Sequence, residues 1–207
     1  VHTQLLSVTD DRLMDHVRRA FAAQLPIAVP TDTVYGLSCP YDSAAGIAAL
    51  YRIKERPRGK AIPILLGATE QLPQVARPFH SEVAAALAAR FWPGPLTIIL
   101  PAQPHLPAVL LAGGDTVAVR VVDHPAFQSL ALQLGPLATT SANVSGQPDC
   151  SHAREVYRHL RGRIPLIVNA GRSPESRPST IVKVTRQDVA IVRPGSLAPA
   201  IREFLAA

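Results

Sequence analysis

Short apolar runs of strand length alternate with longer stretches of helical periodicity along almost the whole chain, and few folds accept that order. A strand needs neighbours for its backbone and a helix needs a surface for its apolar stripe, so interleaved elements collapse into a sheet flanked by helices. Asp10 or Asp11 is placed to cap a helix reaching about Gln24, with Leu13, Val17, Ala20 and Phe21 on its apolar face. Ile27-Ala28-Val29 reads as a buried strand ending at Pro30, and Ser43 as the cap of a second helix through Ile47, Leu50 and Tyr51. Further strands are predicted at Ile62–Leu66, Leu96–Leu100, Val117–Val121, Leu137–Thr140, Leu166–Val168, Thr180–Val184 and Ala190–Val192. Helices are predicted over Ser81–Arg90, Pro125–Leu134 and from Ser151 to about Arg161, with a closing helix after the turn at Arg193-Pro194-Gly195. The 20 prolines fall mostly at the borders of these elements, where a missing N–H does least harm. No repeat or low-complexity linker divides the 207 residues, so the expectation is one α/β domain over residues 1–207, built on a twisted mixed sheet with flanking helices.

Composition narrows the function. A formal net charge of +6 favours anionic partners, but aromatic residues make up only 5% and do not interleave with the basic segments, which argues against a single-strand stacking platform. Cys39 and Cys150 form neither a CxxC pair nor a disulfide framework and read as reduced thiols. The absence of any membrane-length apolar run, or of an apolar leader, makes a soluble cytoplasmic protein without membrane contact the expectation. Neither GxxxxGK[ST] nor GxGxxG occurs, so any nucleotide is held by another scheme. His152 and His159 can share a helix face but have no ligand cluster around them.

Candidate site residues sit at element ends. Between Arg52 and Lys60 every second residue is a cation: Arg52, Lys54, Arg56, Arg58 and Lys60. If the chain leaves its helix and runs extended here, as Pro57 favours, all five point to one side and form either a grip for phosphate or, as an isolated basic run more often does, a plain solvated surface. The loop Ser141-Ala142-Asn143-Val144-Ser145-Gly146 offers hydroxyl, amide and backbone N–H donors for phosphate oxygens, or a plain Asx-turn. Arg120, at the end of an apolar strand, requires an anionic partner, either an Asp or a ligand carboxylate. Thr31, Thr33, Ser179 and Arg193 are individually unspecific.

Taken in order, seven segments resemble the YrdC-type threonylcarbamoyl-AMP synthases. They are Pro30-Thr31-Asp32-Thr33-Val34-Tyr35-Gly36-Leu37; Lys54-Glu55-Arg56-Pro57 with Lys60; Trp92-Pro93-Gly94-Pro95-Leu96-Thr97; Val117-Ala118-Val119-Arg120; Ser141 to Gly146; Ser179-Thr180-Ile181-Val182; and Arg193-Pro194-Gly195. The resemblance implies a YrdC-like fold with a large basic concave cleft, in the short single-domain form. It implies that L-threonine, bicarbonate or CO2 and ATP give threonylcarbamoyl-AMP and pyrophosphate, supplying a downstream transferase complex that modifies tRNA. By the same resemblance Lys54, Arg56, Ser141 and Asn143 are catalytic. ATP contacts fall to Lys54, Arg56, Lys60, Thr116, Asn143, Ser151 and Arg193, and L-threonine contacts to Thr31, Thr33, Arg120, Ser141 and Ser179. Mg2+ enters with ATP, held by phosphates and water rather than by a protein cage. Relatives usually carry Asp where this chain has Lys183, and Pro where it has Ala61. Positive charge also admits direct tRNA contact, and a competing reading as a non-catalytic tRNA- or rRNA-binding protein of the same fold.

Overall fold

The computed structural model describes residues 1–78, 81–175, 177–185 and 189–206. Among them, strands β1 (Gln4–Ser7), β2 (Ile27–Val29), β3 (Gly36–Pro40), β4 (Ile64–Leu66), β5 (Leu96–Pro101), β6 (Thr116–Val121), β7 (Leu137–Ser141), β8 (Leu166–Asn169), β9 (Thr180–Val184) and β10 (Val189–Arg193) join in one sheet. Their order is β1-β8-β2-β3-β7-β4-β6-β5-β9-β10. The sheet is mixed, as the sequence predicts: β1–β8, β8–β2, β4–β6 and β5–β9 run parallel and the other neighbours antiparallel. Helices α1 (Leu13–Ala22), α2 (Ala44–Lys54), α3 (Glu82–Phe91), α4 (Ala108–Leu111), α5 (Pro125–Leu134), α6 (Ala153–Leu160) and α7 (Ala198–Ala206) connect or flank the strands.

Strand alternation splits the core between the two faces of the sheet. Ala28, Ile64, Leu66, Ile98 and Val119 face a large cluster shared with Ile47 and Leu50 of α2, Leu87 of α3 and Val156 of α6. Ile27, Val29, Leu65, Leu137 and Val168 point the other way, against Val17 of α1 and Phe127 and Leu130 of α5. Beyond Leu65 this second face, carrying Ile99, Ala118, Arg120 and Ile181, lines a cavity instead of a core. The cavity is therefore the part of one sheet face that α1 and α5 leave uncovered.

Several expectations need correction. Asp10 does not cap α1: its carboxylate accepts from the Arg12 backbone N–H at 2.9 Å and from the Arg12 guanidinium, and the helix begins only at Leu13, with no side-chain cap. His152, not Ser151, caps α6, with Glu155 reaching back to its N–H in a capping box. Strands β1 and β3, α4 and a 3-10 turn at Thr69–Gln74 were not legible. In β3 a leading glycine, a closing proline and the polar Ser38 conceal a central strand; the Ser38 hydroxyl is buried against Thr139 Oγ1 at 2.8 Å. The basic run is not extended. Arg52 and Lys54 are helical and lie on different sides of α2, Arg52 exposed and Lys54 buried.

Leu37 is fully buried at the centre of β3. Leu37→Ala is expected to cost about 2–5 kcal/mol in urea unfolding, as other large-to-small core changes do.

Candidate active site

Helix α2 ends in a left-handed residue, Glu55 at φ 55°, with the Arg56 N–H returning to the Tyr51 carbonyl at 3.0 Å. Arg163 fastens this end, donating to the Ile53 carbonyl and to Glu55 Oε1. The turn drives the Lys54 side chain inward, where it is 2% exposed. Its ammonium donates to the carbonyls of Ser141 (2.5 Å) and Asn143 (2.7 Å) and to Asn143 Oδ1 (2.8 Å). Asn143 Oδ1 also accepts from the Ser141 hydroxyl at 2.6 Å, and the Asn143 amide donates to the Gln147 carbonyl. The Ser145 N–H returns the contact by donating to the Lys54 carbonyl. Lys54, Ser141 and Asn143 are thus one hydrogen-bonded unit that shapes the loop after β7. Burial, with repulsion from Arg56, pulls the Lys54 pKa down to about 8.

Beside this unit lies the cavity, about 310 Å³, within the usual range of small-molecule sites (~300–1,000 Å³). Its lining includes three arginines, Arg56, Arg120 and Arg193, against one carboxylate, Asp149. Each arginine is held by oxygens of the protein. Arg56 folds back on its own turn, donating to the carbonyls of Lys60 (3.1 Å) and Ala61 (2.9 Å). Arg193 grips the Ser179 carbonyl with Nε and NH2, and NH2 also reaches Ser179 Oγ, which bonds Thr97 Oγ1 at 2.7 Å. Gly195 lets this segment lie flat on β9: a Cβ there would meet the Pro178 carbonyl oxygen and the Thr180 nitrogen at 2.5 Å. Arg120, 3% exposed, donates from NH2 to Asp32 Oδ1 at 2.8 Å and from NH1 to Thr33 Oγ1 at 2.9 Å. The anionic partner that its position demanded is therefore supplied within the protein by Asp32. Burial lowers the Arg120 pKa and raises that of Asp32, and their mutual attraction opposes both shifts.

The structure brings Thr31, Thr33, Arg56, Arg120, Ser141, Ser179 and Arg193 to one cavity. Lys54 and Asn143 stand behind its wall as the clasp rather than in its lining. Lys60 and Thr116 are exposed and do not line it. Ser151 opens onto a separate hollow with His152, Arg154, Arg158 and Arg172. Asp149, Thr97, Thr139 and Thr140 also line the cavity. The hydroxyls of Thr139 and Thr140 were visible as a polar ending to an apolar strand; Asp149, in a loop, carried no signal. Among the described residues no group of three His, Cys, Asp or Glu side chains is arranged to hold a metal. Nor is any described helix long and apolar enough to cross a membrane. Both thiols are buried, which pushes Cys150 up to about 12 and Cys39 higher still and leaves neither nucleophilic.

Comparison with known proteins identifies a family. Residues 20–195 fit the Sua5/YciO/YrdC family profile, described as "Telomere recombination". The chain is 37% identical over 172 residues to the threonylcarbamoyl-AMP synthase of Pyrococcus abyssi, covering 83% of this chain and 50% of that protein. It is 39% identical over 163 residues to the Vibrio cholerae threonylcarbamoyl-AMP synthase, covering 75% of this chain and 84% of that one. Its fold superimposes on the crystal structure of Pyrococcus abyssi Sua5 complexed with L-threonine with a TM-score of 0.85 at 32% identity, covering 94% of this chain and 58% of that chain. The chain thus spans about half the length of the Pyrococcus relative.

Removing the clasp leaves carbonyls without a donor. Lys54→Met keeps the aliphatic stem and is expected to lower stability by about 1–3 kcal/mol, read by urea unfolding. The folded pKa near 8 lies below the ordinary 10.5, so between these values the unfolded chain holds the proton that the folded chain has shed. Stability from this group therefore rises with pH across that window, and the unfolding free energy of the wild type should climb more steeply there than that of Lys54→Met.

Proposed function

Since this chain belongs to the Sua5/YciO/YrdC family, we propose that it makes threonylcarbamoyl-AMP and pyrophosphate from L-threonine, bicarbonate or CO2, and ATP. On this reading it is a nucleotidyltransferase that supplies the threonylcarbamoyl group for tRNA modification by a downstream transferase complex. The observation that carries the reading is the single cavity in which a buried arginine, Arg120, sits beside threonine hydroxyls while Arg56 and Arg193 border the Ser141 loop. One region suits an amino-acid carboxylate and the other a polyphosphate, close enough for the two ligands to react.

The chemistry follows from that adjacency. The threonine amine attacks the carbon of CO2, forms a C–N bond and loses a proton, giving a carbamate. A carbamate oxygen then attacks the α-phosphorus, a new O–P bond forms, and the bond to the pyrophosphate oxygen breaks. Both steps place negative charge where Arg56, Arg120 and Arg193 supply fixed donors, so stabilisation is electrostatic and positional. Mg2+ bound with ATP would neutralise phosphate charge, held mainly by phosphate and water oxygens, and Asp149, the one carboxylate in the cavity lining, would be the side chain to assist in holding it. Partial burial lowers the Arg193 pKa, while Asp149 raises it and Arg56 lowers it, so these three charges face one another across the phosphate region. Lys54, Ser141 and Asn143 keep their catalytic role here as the clasp that sets the loop against the nucleotide. A bulk RNA-binding surface needs only exposed cations; the hydroxyl-lined, partly enclosed hollow favours the enzyme.

Incubation with ATP, bicarbonate and each amino acid in turn tests the reading. Pyrophosphate and a carbamoyl-adenylate of the mass expected for threonine should form with L-threonine, and no adduct with any amino acid would refute it. Arg56→Ala, whose side chain bonds the Lys60 and Ala61 carbonyls and interacts with the Tyr51 hydroxyl, should cut pyrophosphate release by about 100-fold while the melting temperature stays near wild type. Arg120→Ala should raise the L-threonine KM far more than the ATP KM, by the roughly 1.5–3 kcal/mol of a charge-assisted pair.

A further inference from the structure

Asp32 does not line the cavity, yet it is 6% exposed and aimed at a guanidinium that does. We propose that Asp32 is a positioning residue that orients Arg120 toward the carboxylate of the amino-acid substrate, a role that rests on the functional reading above. Asp32 and Thr33, adjacent in the loop after β2, hold different terminal nitrogens of Arg120 at 2.8 and 2.9 Å, and two such anchors fix the plane of the guanidinium. The anchors are themselves tied down. Thr33 Oγ1 pairs with Thr31 Oγ1 at 3.0 Å, and Thr31 Oγ1 accepts from the Thr33 N–H and donates to the Val34 carbonyl. The loop thus presents a preset acceptor pair, and Arg120 docks on it from β6.

The pair is not merely a closed structural bridge. Arg120 Nε and Asp32 Oδ2 are both buried and make no hydrogen bond among the described residues. Arginine–carboxylate pairs are frequently bidentate and then use both carboxylate oxygens. Here one carboxylate oxygen engages NH2 alone, while Arg120 itself lines the cavity. Two further arginines, Arg56 and Arg193, line the same cavity. Asp32 therefore also supplies the charge that lets Arg120 sit desolvated among them. Its charged neighbours from the packed elements are Asp123, Glu175 and His124, and of the carboxylates only Asp32 reaches the guanidinium within salt-bridge distance among the described residues.

Calorimetric titration of L-threonine and, separately, of ATP into the whole chain decides the matter, with Asp32→Asn as the principal variant. Asparagine keeps the volume and an acceptor oxygen, so the fold survives, but it replaces a charge-assisted bond by a neutral one. L-threonine affinity should fall about tenfold while ATP affinity stays within about twofold of wild type. Asp32→Ala, with no acceptor at all, should lose more of the L-threonine affinity, so that asparagine is a partial rescue. Unchanged L-threonine affinity in Asp32→Asn, an equal loss for ATP, or a chain that no longer folds would each overturn the proposal and leave Asp32 a structural partner. Wild type and Arg120→Ala separate the two levels. If wild type binds no L-threonine, or Arg120→Ala binds it equally well, the functional reading fails and the role of Asp32 with it. If only Arg120→Ala loses binding and Asp32→Asn does not, the role of Asp32 alone fails.

Discussion

Three oxygens of one loop converge on a single nitrogen, and the layout of the cavity depends on that convergence. The Lys54 ammonium, delivered by the C-terminus of α2, gathers the carbonyls of Ser141 and Asn143 and the Asn143 side chain. Without it the segment after β7 would carry buried acceptors with no donor, a state that costs more than the bonds themselves contribute. With it, the loop is drawn against the end of α2, so Arg56 and the Ser141 hydroxyl face one hollow. The charge on Lys54 thus acts mainly inside the wall of the cavity.

The remaining cations obey the same rule. Arg56, Arg120 and Arg193 would repel one another in a small cavity if left free. Each is instead bound by carbonyls, hydroxyls or one carboxylate of the protein, Arg56 by its own turn and Arg120 and Arg193 by other segments. Preset donors of this kind need little reorganisation when negative charge arrives, the condition under which electrostatic stabilisation is strongest. The sheet makes this possible by an asymmetry of coverage. One face is sealed by α2, α3 and α6, while α1 and α5 seal only part of the other.

Much of the architecture was legible because it rests on local periodicity. The strands at Ile27–Val29, Leu166–Asn169 and Thr180–Val184 and the helix at Pro125–Leu134 stand where apolar spacing put them. Strand β3 was not legible because its register is set by pairing with β2 and β7, and its glycine and proline argue against a strand when taken alone. Asp10 misled for a related reason: a carboxylate two residues before an arginine found that arginine before it found a helix end. The basic run misled most. Alternation of charge suggested an extended segment, but the apolar stripe of α2 carries the helix through Lys54, and packing overrides a pattern made of exposed cations.

Within the site, the sequence alone identified which residue types must meet an anion or a partner: a cation at a buried strand end, hydroxyls after a strand, and a lysine and arginine two apart at a helix end. Those are consequences of desolvation, which acts on a residue wherever its neighbours in sequence are apolar. Tertiary structure decided which partner each one took. Arg120 received Asp32, Lys54 received a loop 87 residues away, and Ser151 faced a different hollow from Ser141. Such pairings depend on strand order and on the angle at which a turn releases its side chain, and neither is encoded in local spacing.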